Sequence, residues 1–291
     1  MIVTVTLNPA LDLTYTVDAL VPYGTHRVAA VLERPGGKGL NVAGVLHLLG
    51  EPVLATGLLG GATGARITAL LAAQGVRAEF EPIAGETRRT VAVADGRDAT
   101  GFWEPGPAVL AAEWAAFVGR FRALVGAGDV VALSGSLPPG VPIDGYATLI
   151  ALAAAAGATT VLDTSGEALR HGLAAGPDLA KPNAAELAAL PDPAVAHQAR
   201  TVVVSRGPQG LLAHTPAGPF EAVPPEQLRG NPTGAGDACV AALARGLRDG
   251  TPWPVLLADA VALSAAAVAA PVAGAVDLPT YRRLLPAVHV N

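Results

Sequence analysis

Only one cysteine, Cys239, occurs in the 291 residues, so no internal disulfide can form and a reducing, cytoplasmic setting is expected. Lysine is nearly absent too: the 19 basic residues include only Lys38 and Lys181. Charged residues make up 15% of the chain, the net charge is −5 and the basic residues are dispersed. That argues against the basic surface a nucleic-acid partner requires, so none is expected, and it leaves any anionic ligand to a few local cations. Residues 1–6 carry no basic segment and alternate like a strand, so no signal peptide is expected. The apolar run 260–276 approaches membrane-spanning length, but it is mostly alanine and contains Pro271 and Gly274. A buried core helix is expected there, and no membrane contact. Internal repeats, heptads and disordered linkers are missing as well.

What is present is a 51% hydrophobic chain, enough to bury a large core in a single α/β domain covering 1–291. Short Val/Leu/Ala runs read as strands at 2–6, 53–57, 130–133, 159–162 and 201–204. Amphipathic stretches at 39–49, 67–74, 111–125, 143–156 and 183–190 read as helices. Strand–helix alternation at this spacing predicts a central, mostly parallel sheet with helices on both faces. Two segments break the alternation. Residues 11–35 and 81–105 hold period-two runs with no helix between them, and predict one small antiparallel sheet that serves as a lid.

The sharpest chemical signal is Asn231-Pro-Thr-Gly234-Ala235-Gly236-Asp237, followed by a helical run. Glycines before a helix start let successive N–H groups aim at one point, which makes an anion hole suited to a transferring phosphoryl group. Asp237 is the candidate catalytic base. At a helix N-terminus its pKa is expected to be lowered, making it a weak base. A second cluster, Pro35-Gly-Gly37-Lys38-Gly-Leu-Asn41, lacks the spacing of a P-loop but allows close approach of a polar ligand.

Together these motifs resemble the PfkB (ribokinase-like) family of carbohydrate kinases, above all its branch of 1-phosphofructokinase and tagatose-6-phosphate kinase. The resemblance also rests on Thr6-Leu-Asn-Pro-Ala-Leu-Asp12, Glu104-Pro-Gly-Pro107, Ser134-Gly-Ser136-Leu-Pro-Pro-Gly, Lys181-Pro-Asn183-Ala-Ala-Glu186 and Ser205-Arg-Gly207. It implies an ATP-dependent kinase whose substrate is a sugar phosphate, fructose 1-phosphate first and tagatose 6-phosphate next. A kinase of an unphosphorylated sugar or nucleoside, or a non-catalytic sugar-phosphate sensor, are the alternatives. Asp12, Gly37, Lys38, Asn41, Ser134 and Ser136 are the implied sugar-binding residues, with Arg88 and Arg27 for the phosphate. Lys181, Asn183, Glu186, Ser205 and Gly207 are implied for ATP, with Asn183 and Glu186 on one helix face acting on Mg²⁺ through water. Thr90 and Trp103 stand where relatives tend to carry Asn, and 187–200 is shorter than in relatives. The apolar side of the lid (Tyr15, Val17, Val91, Val93, with Phe102 nearby) predicts a homodimer joined through the lids.

Overall fold

The first strand, β1 (Ile2–Thr6), is buried along its whole length, which requires cover on both faces. A computed structural model, describing all residues except Pro271 and Ala273, supplies that cover. After β1 come β2 (Ala10–Thr16), β3 (Ala30–Gly36), α1 (Lys38–Leu48), β4 (Val53–Gly60), α2 (Gly61–Gln74) and β5 (Ala78–Ile83). Next are β6 (Arg88–Ala94), β7 (Ala99–Trp103), α3 (Ala111–Leu124), β8 (Val130–Ser134), α4 (Gly145–Ala155), β9 (Thr159–Asp163) and α5 (Gly166–Ala174). The chain continues through β10 (Leu179–Ala180), α6 (Ala184–Ala188), β11 (Thr201–Ser205), β12 (Leu211–Thr215) and β13 (Gly218–Val223). It ends in α7 (Ala235–Asp249), α8 (Trp253–Val268), α9 (Leu278–Leu284) and β14 (His289–Val290).

Among the described residues, ten strands form one sheet in the order β14-β13-β12-β11-β10-β9-β8-β1-β4-β5. It is parallel from β11 to β5 and antiparallel beyond β11. Alternate residues of β1 feed two cores. Ile2 packs with α1, α2, α7 and α8, while Val3 and Val5 pack with Phe117 and Phe121 of α3, Tyr146 of α4 and Leu169 of α5. This is the mixed α/β architecture expected. The chain crosses from one side of β1 to the other between β5 and β8, so the carboxyl ends of β1 and β8 mark a topological switch point, where open sheets bind ligands.

The second, four-stranded sheet runs β3-β2-β6-β7 and is built from two excursions, as expected. Two details differ. Its second arm begins at Arg88, because residues 81–83 complete β5, which pairs with β4 in the large sheet. The arms also meet in parallel, β2 against β6. Both leave parallel strands of the large sheet, β1 and β5, and so enter the lid in the same direction. The outer side of the lid is not free-standing either: Leu11 and Leu13 are buried in the core that includes α2.

The apolar run 260–276 is helical only to Val268, and its Pro271 and Ala273 lie outside the described residues. No helix of the described residues is long and apolar enough to cross a membrane. Helix α6 has five residues and is followed by a 3-10 turn, Pro193–Gln198, in the shortened segment.

Candidate active site

The sheet's carboxyl ends, the start of α7 and the inner face of the lid enclose a cleft of about 1290 Å³. Gly234, the residue before α7, has φ 90°, a left-handed conformation that a residue with a Cβ adopts only with strain. That turn starts the helix so that Asp237 falls in its first turn, where N–H groups have no intrahelical acceptor. Asp237 is buried, and its carboxylate accepts from the Asn41 side-chain amide at 2.8 Å. Burial, then the nearby Asp163 carboxylate, push its pKa up to about 6, against the pull of Asn41, Lys38 and Lys181. The expected lowering by the helix terminus is thus overturned by desolvation. A base that titrates near neutrality is better matched to proton transfer than a fully acidic one.

Beside it lies a group the motifs did not single out. Asp163, last residue of β9 and buried, holds Lys38 at 3.3 Å and Lys181 at 3.2 Å. Burial alone would lower the Lys181 pKa, but Asp163 leads a set of anions that raise it on balance, so the ammonium stays charged. A Cβ at Gly236 would stand 3.5 Å from the Lys181 nitrogen, so that cation lies directly under the turn before Asp237. Two lysines and the α7 N-terminus therefore converge on one point, a setting for a highly charged anion. Cys239 also lines the cleft, but burial pushes its thiol up to about 12, which leaves it unreactive.

The lid supplies the opposite wall. Asp12, Arg88, Thr90 and Trp103 face inward. A Cβ at Gly36 would overlap the Asp12 carboxylate at 2.1–2.3 Å, so glycine there leaves the space that the carboxylate occupies. Burial pushes Asp12 up to about 6, despite Thr90, Arg88 and Arg34. Arg88 donates to the carbonyl of Asn8 at 3.1 and 3.2 Å and to that of Glu104 at 3.3 Å. The Asn8 amide in turn donates to Pro105 and Ser136. Arg88 and Asn8 thus tie the lid to the switch point, and the rest of the guanidinium's donors remain for a ligand.

At the far end, Asn183 and Ser205 form a bridge between their strands' ends. Asn183 is the cap of α6, not a residue on its face as the i, i+3 spacing suggested. Its side chain accepts from Glu186 N–H while Glu186 accepts from Asn183 N–H, both at 2.8 Å. This reciprocal box orients the pair toward the cleft, which both line. Ser205 and Gly207 line it too, beside an apolar wall of Pro208, Leu211, Pro224, Val261, Ala265 and Val268 that no motif indicated.

Two expected residues are placed elsewhere. Ser134 is wholly buried, its hydroxyl without a partner among the described residues; at the end of β8 it turns inward, and Gly135 and Ser136 line the cleft instead. Arg27 is exposed on the 17–29 loop and is not among the residues lining the cleft. Gly37, Lys38, Asn41, Ala235 and Gly236 all line it.

The pattern of the pfkB family carbohydrate kinases matches residues 5–280. This chain belongs to that family. The kinase shares 31% identity with phosphofructokinase-2 from Escherichia coli in complex with potassium, with 98% of both chains covered and a TM-score of 0.92. The same enzyme in complex with fructose-6-phosphate superposes with a TM-score of 0.89 at 30% identity and 98% coverage of each chain, and an inhibited form of it is tetrameric. A possible 1-phosphofructokinase from Thermotoga maritima, 24% identical, covers 100% of this chain and 99% of its own with a TM-score of 0.86, a likeness of fold. The protein is therefore a sugar kinase of the phosphofructokinase type, a phosphotransferase of a family that uses ATP.

Proposed function

We propose that this kinase transfers the γ-phosphoryl group of ATP to a free hydroxyl of a ketohexose monophosphate, with fructose 1-phosphate the first candidate and tagatose 6-phosphate the next. The supporting observation is the single cleft that sets Asp237 and the cationic α7 turn opposite Asp12 and Arg88 of the lid. In this reading the adenine lies on the apolar wall and the phosphates run past Lys181 to the α7 N-terminus. The sugar hydroxyls meet Asp12, and Arg88 takes the phosphate the sugar already carries. Asp237 accepts the proton of the attacking hydroxyl, and the turn's N–H groups stabilise charge on the transferring group. Fructose 6-phosphate is a second reading, favoured by the complex of the E. coli relative with that ester. A coupled assay of ADP release over ketohexose phosphates, free sugars and nucleosides tests the proposal. Fastest turnover with a ketohexose phosphate supports it, and fastest turnover with an unphosphorylated sugar or nucleoside, or none at all, removes it.

Magnesium fits the cleft only through water. Among the described residues no three His, Cys, Asp or Glu side chains gather as a cage, and Glu186 already uses one carboxylate oxygen on Asn183. Its other oxygen would hold a hydrated ion, which would supply positive charge against the nucleotide's phosphates. Glu186→Gln keeps an acceptor for the capping bond and removes only the charge. It is expected to move the Mg²⁺ titration of activity to higher concentration without loss of Tm. An unmoved titration would leave Glu186 as a helix cap alone.

A homodimer through the lids is proposed as well. Val31 and Phe102 are 57% and 58% exposed on the outer face, next to half-buried Tyr15 and Val93, an apolar patch that a second copy would cover. Light scattering at micromolar concentration should give a dimer mass that Val93→Asp with Phe102→Asp reduces to monomer. A wild-type monomer would contradict the interface.

A further inference from the structure

The lid registers place four side chains in one file across its inner face. Arg34 of β3 is opposite Asp12 of β2, Asp12 is opposite Thr90 of β6, and Thr90 is opposite Trp103 of β7. Directly opposed residues share a face of a sheet, and Asp12, Thr90 and Trp103 line the cleft. By register Arg34 lies on the same face of the sheet, beside the cleft's lining residues though not itself one of them. Its neighbour Glu33 turns to the other side and pairs with Arg66. Arg34 itself is half-buried and has no hydrogen bond or ion pair among the described residues, so its donors are unused, yet it lies close enough to Asp12 for each charge to shift the other's pKa. At the other end of the file the Trp103 indole is 77% exposed, uncovered on the wall where a ligand would lie.

We propose that Arg34 is a further substrate-contacting and specificity-determining residue, which with Asp12 forms a donor–acceptor pair for two adjacent sugar hydroxyls while Trp103 packs on the sugar's C–H face. The inference deepens the sugar-phosphate kinase reading and rests on it. A carboxylate alone satisfies only the hydrogens of two neighbouring hydroxyls, and their oxygens, stripped of water, are left without donors. The planar guanidinium fork answers both oxygens at once. Inverting one of those carbons carries its hydroxyl away from the pair, so the site built this way rejects the epimer by leaving buried polar groups unpaired.

Asp12 accepts both hydrogens only when ionised, which gives the inference a pH signature. Facing its carboxylate are Arg34 from β3 and Arg88 and Thr90 from β6. Lys38, Lys181, Asp163 and Asp237 line the other side of the cleft. Removing the Arg34 cation takes away one of the charges that hold the Asp12 pKa down, so the acid limb of kcat/KM for the sugar moves to higher pH.

The test is steady-state kinetics of the full chain and its R34M and R34K variants. Fructose 6-phosphate, its C4 epimer tagatose 6-phosphate, fructose 1-phosphate and ATP serve as varied substrates. R34M is expected to raise KM for the preferred sugar phosphate by roughly tenfold, to leave KM for ATP unchanged, to shrink the preference between the two epimers and to raise the acid limb. R34K, which keeps the charge but not the fork, should restore the limb and not the KM, and it carries the test if R34M fails to fold. Unchanged sugar KM, epimer preference and acid limb in R34M overturn the assignment while leaving the kinase reading intact. A wild-type chain that phosphorylates no sugar phosphate overturns both.

Discussion

Asp237→Asn is expected to lower kcat by about 10²–10⁴, the usual worth of a positioned base, while leaving KM for ATP nearly unchanged. The amide oxygen introduced can still accept from Asn41, which holds the carboxylate at 2.8 Å in the wild type, so the geometry of the floor survives. The substitution also has a stability signature of definite sign. The folded-state pKa of Asp237 is raised from 3.8 to about 6. Between those values the native state binds more protons than the unfolded one, so the group's contribution to stability falls as pH rises from about 4 to about 6. Near neutrality the buried carboxylate therefore costs on the order of 1–3 kcal/mol. A neutral isostere removes that cost, and the variant should melt at the same temperature as wild type or higher. Loss of activity joined to unchanged or increased Tm is the trade expected of a functional carboxylate. In the wild type, kcat should fall as pH drops through about 6. A variant that keeps half of the activity would remove Asp237 from the chemistry.

Arg88→Ala should raise KM for the sugar phosphate roughly 10- to 150-fold, the loss of a charge-assisted contact, with little change for ATP. The structure adds a reason to make Arg88→Lys beside it. Arg88 already ties the carbonyls of Asn8 and Glu104, so the alanine variant loses both a phosphate contact and a tie between lid and switch point. Lysine keeps the charge but cannot reach two carbonyls and a phosphate together. Recovery of sugar KM in Arg88→Lys would assign the effect to charge, and failure to recover would assign it to the fork. Equal damage to the KM of both substrates would mean that Arg88 serves only the architecture.

Much of the parallel core was legible because apolar runs bounded by turn residues report buried strands directly. The same signal hides the chemistry at their ends. Reading by hydrophobicity stops β8, β9 and β11 at residues 133, 162 and 204, whereas the strands run on to Ser134, Asp163 and Ser205. Each last residue sits at the carboxyl edge where ligands bind, and Asp163 was missed for that reason. A polar residue directly after a buried parallel strand is the signal that could have found it. Arg34 escaped because β3, with its Glu-Arg-Pro-Gly end, shows no period of two; its place emerges only from the register against Asp12. Residues 81–83 read as the start of the lid's second arm, yet they end β5, which closes the edge of the large sheet beside β4. The Asp237 pKa was misjudged because helix position is local and burial is not. Ser134 was assigned by motif position alone, which does not say which way a side chain turns, and Arg27 by its place on the lid alone, which does not say whether it reaches the cleft.

The most direct test follows one reaction by phosphorus NMR: the wild-type chain with ATP, Mg²⁺ and a ketohexose monophosphate. A second phosphomonoester on the sugar should appear together with ADP, at the C6 hydroxyl for fructose 1-phosphate or at C1 for a 6-phosphate. Release of inorganic phosphate alone, or no consumption of ATP with any ketohexose phosphate, would contradict the proposed transfer.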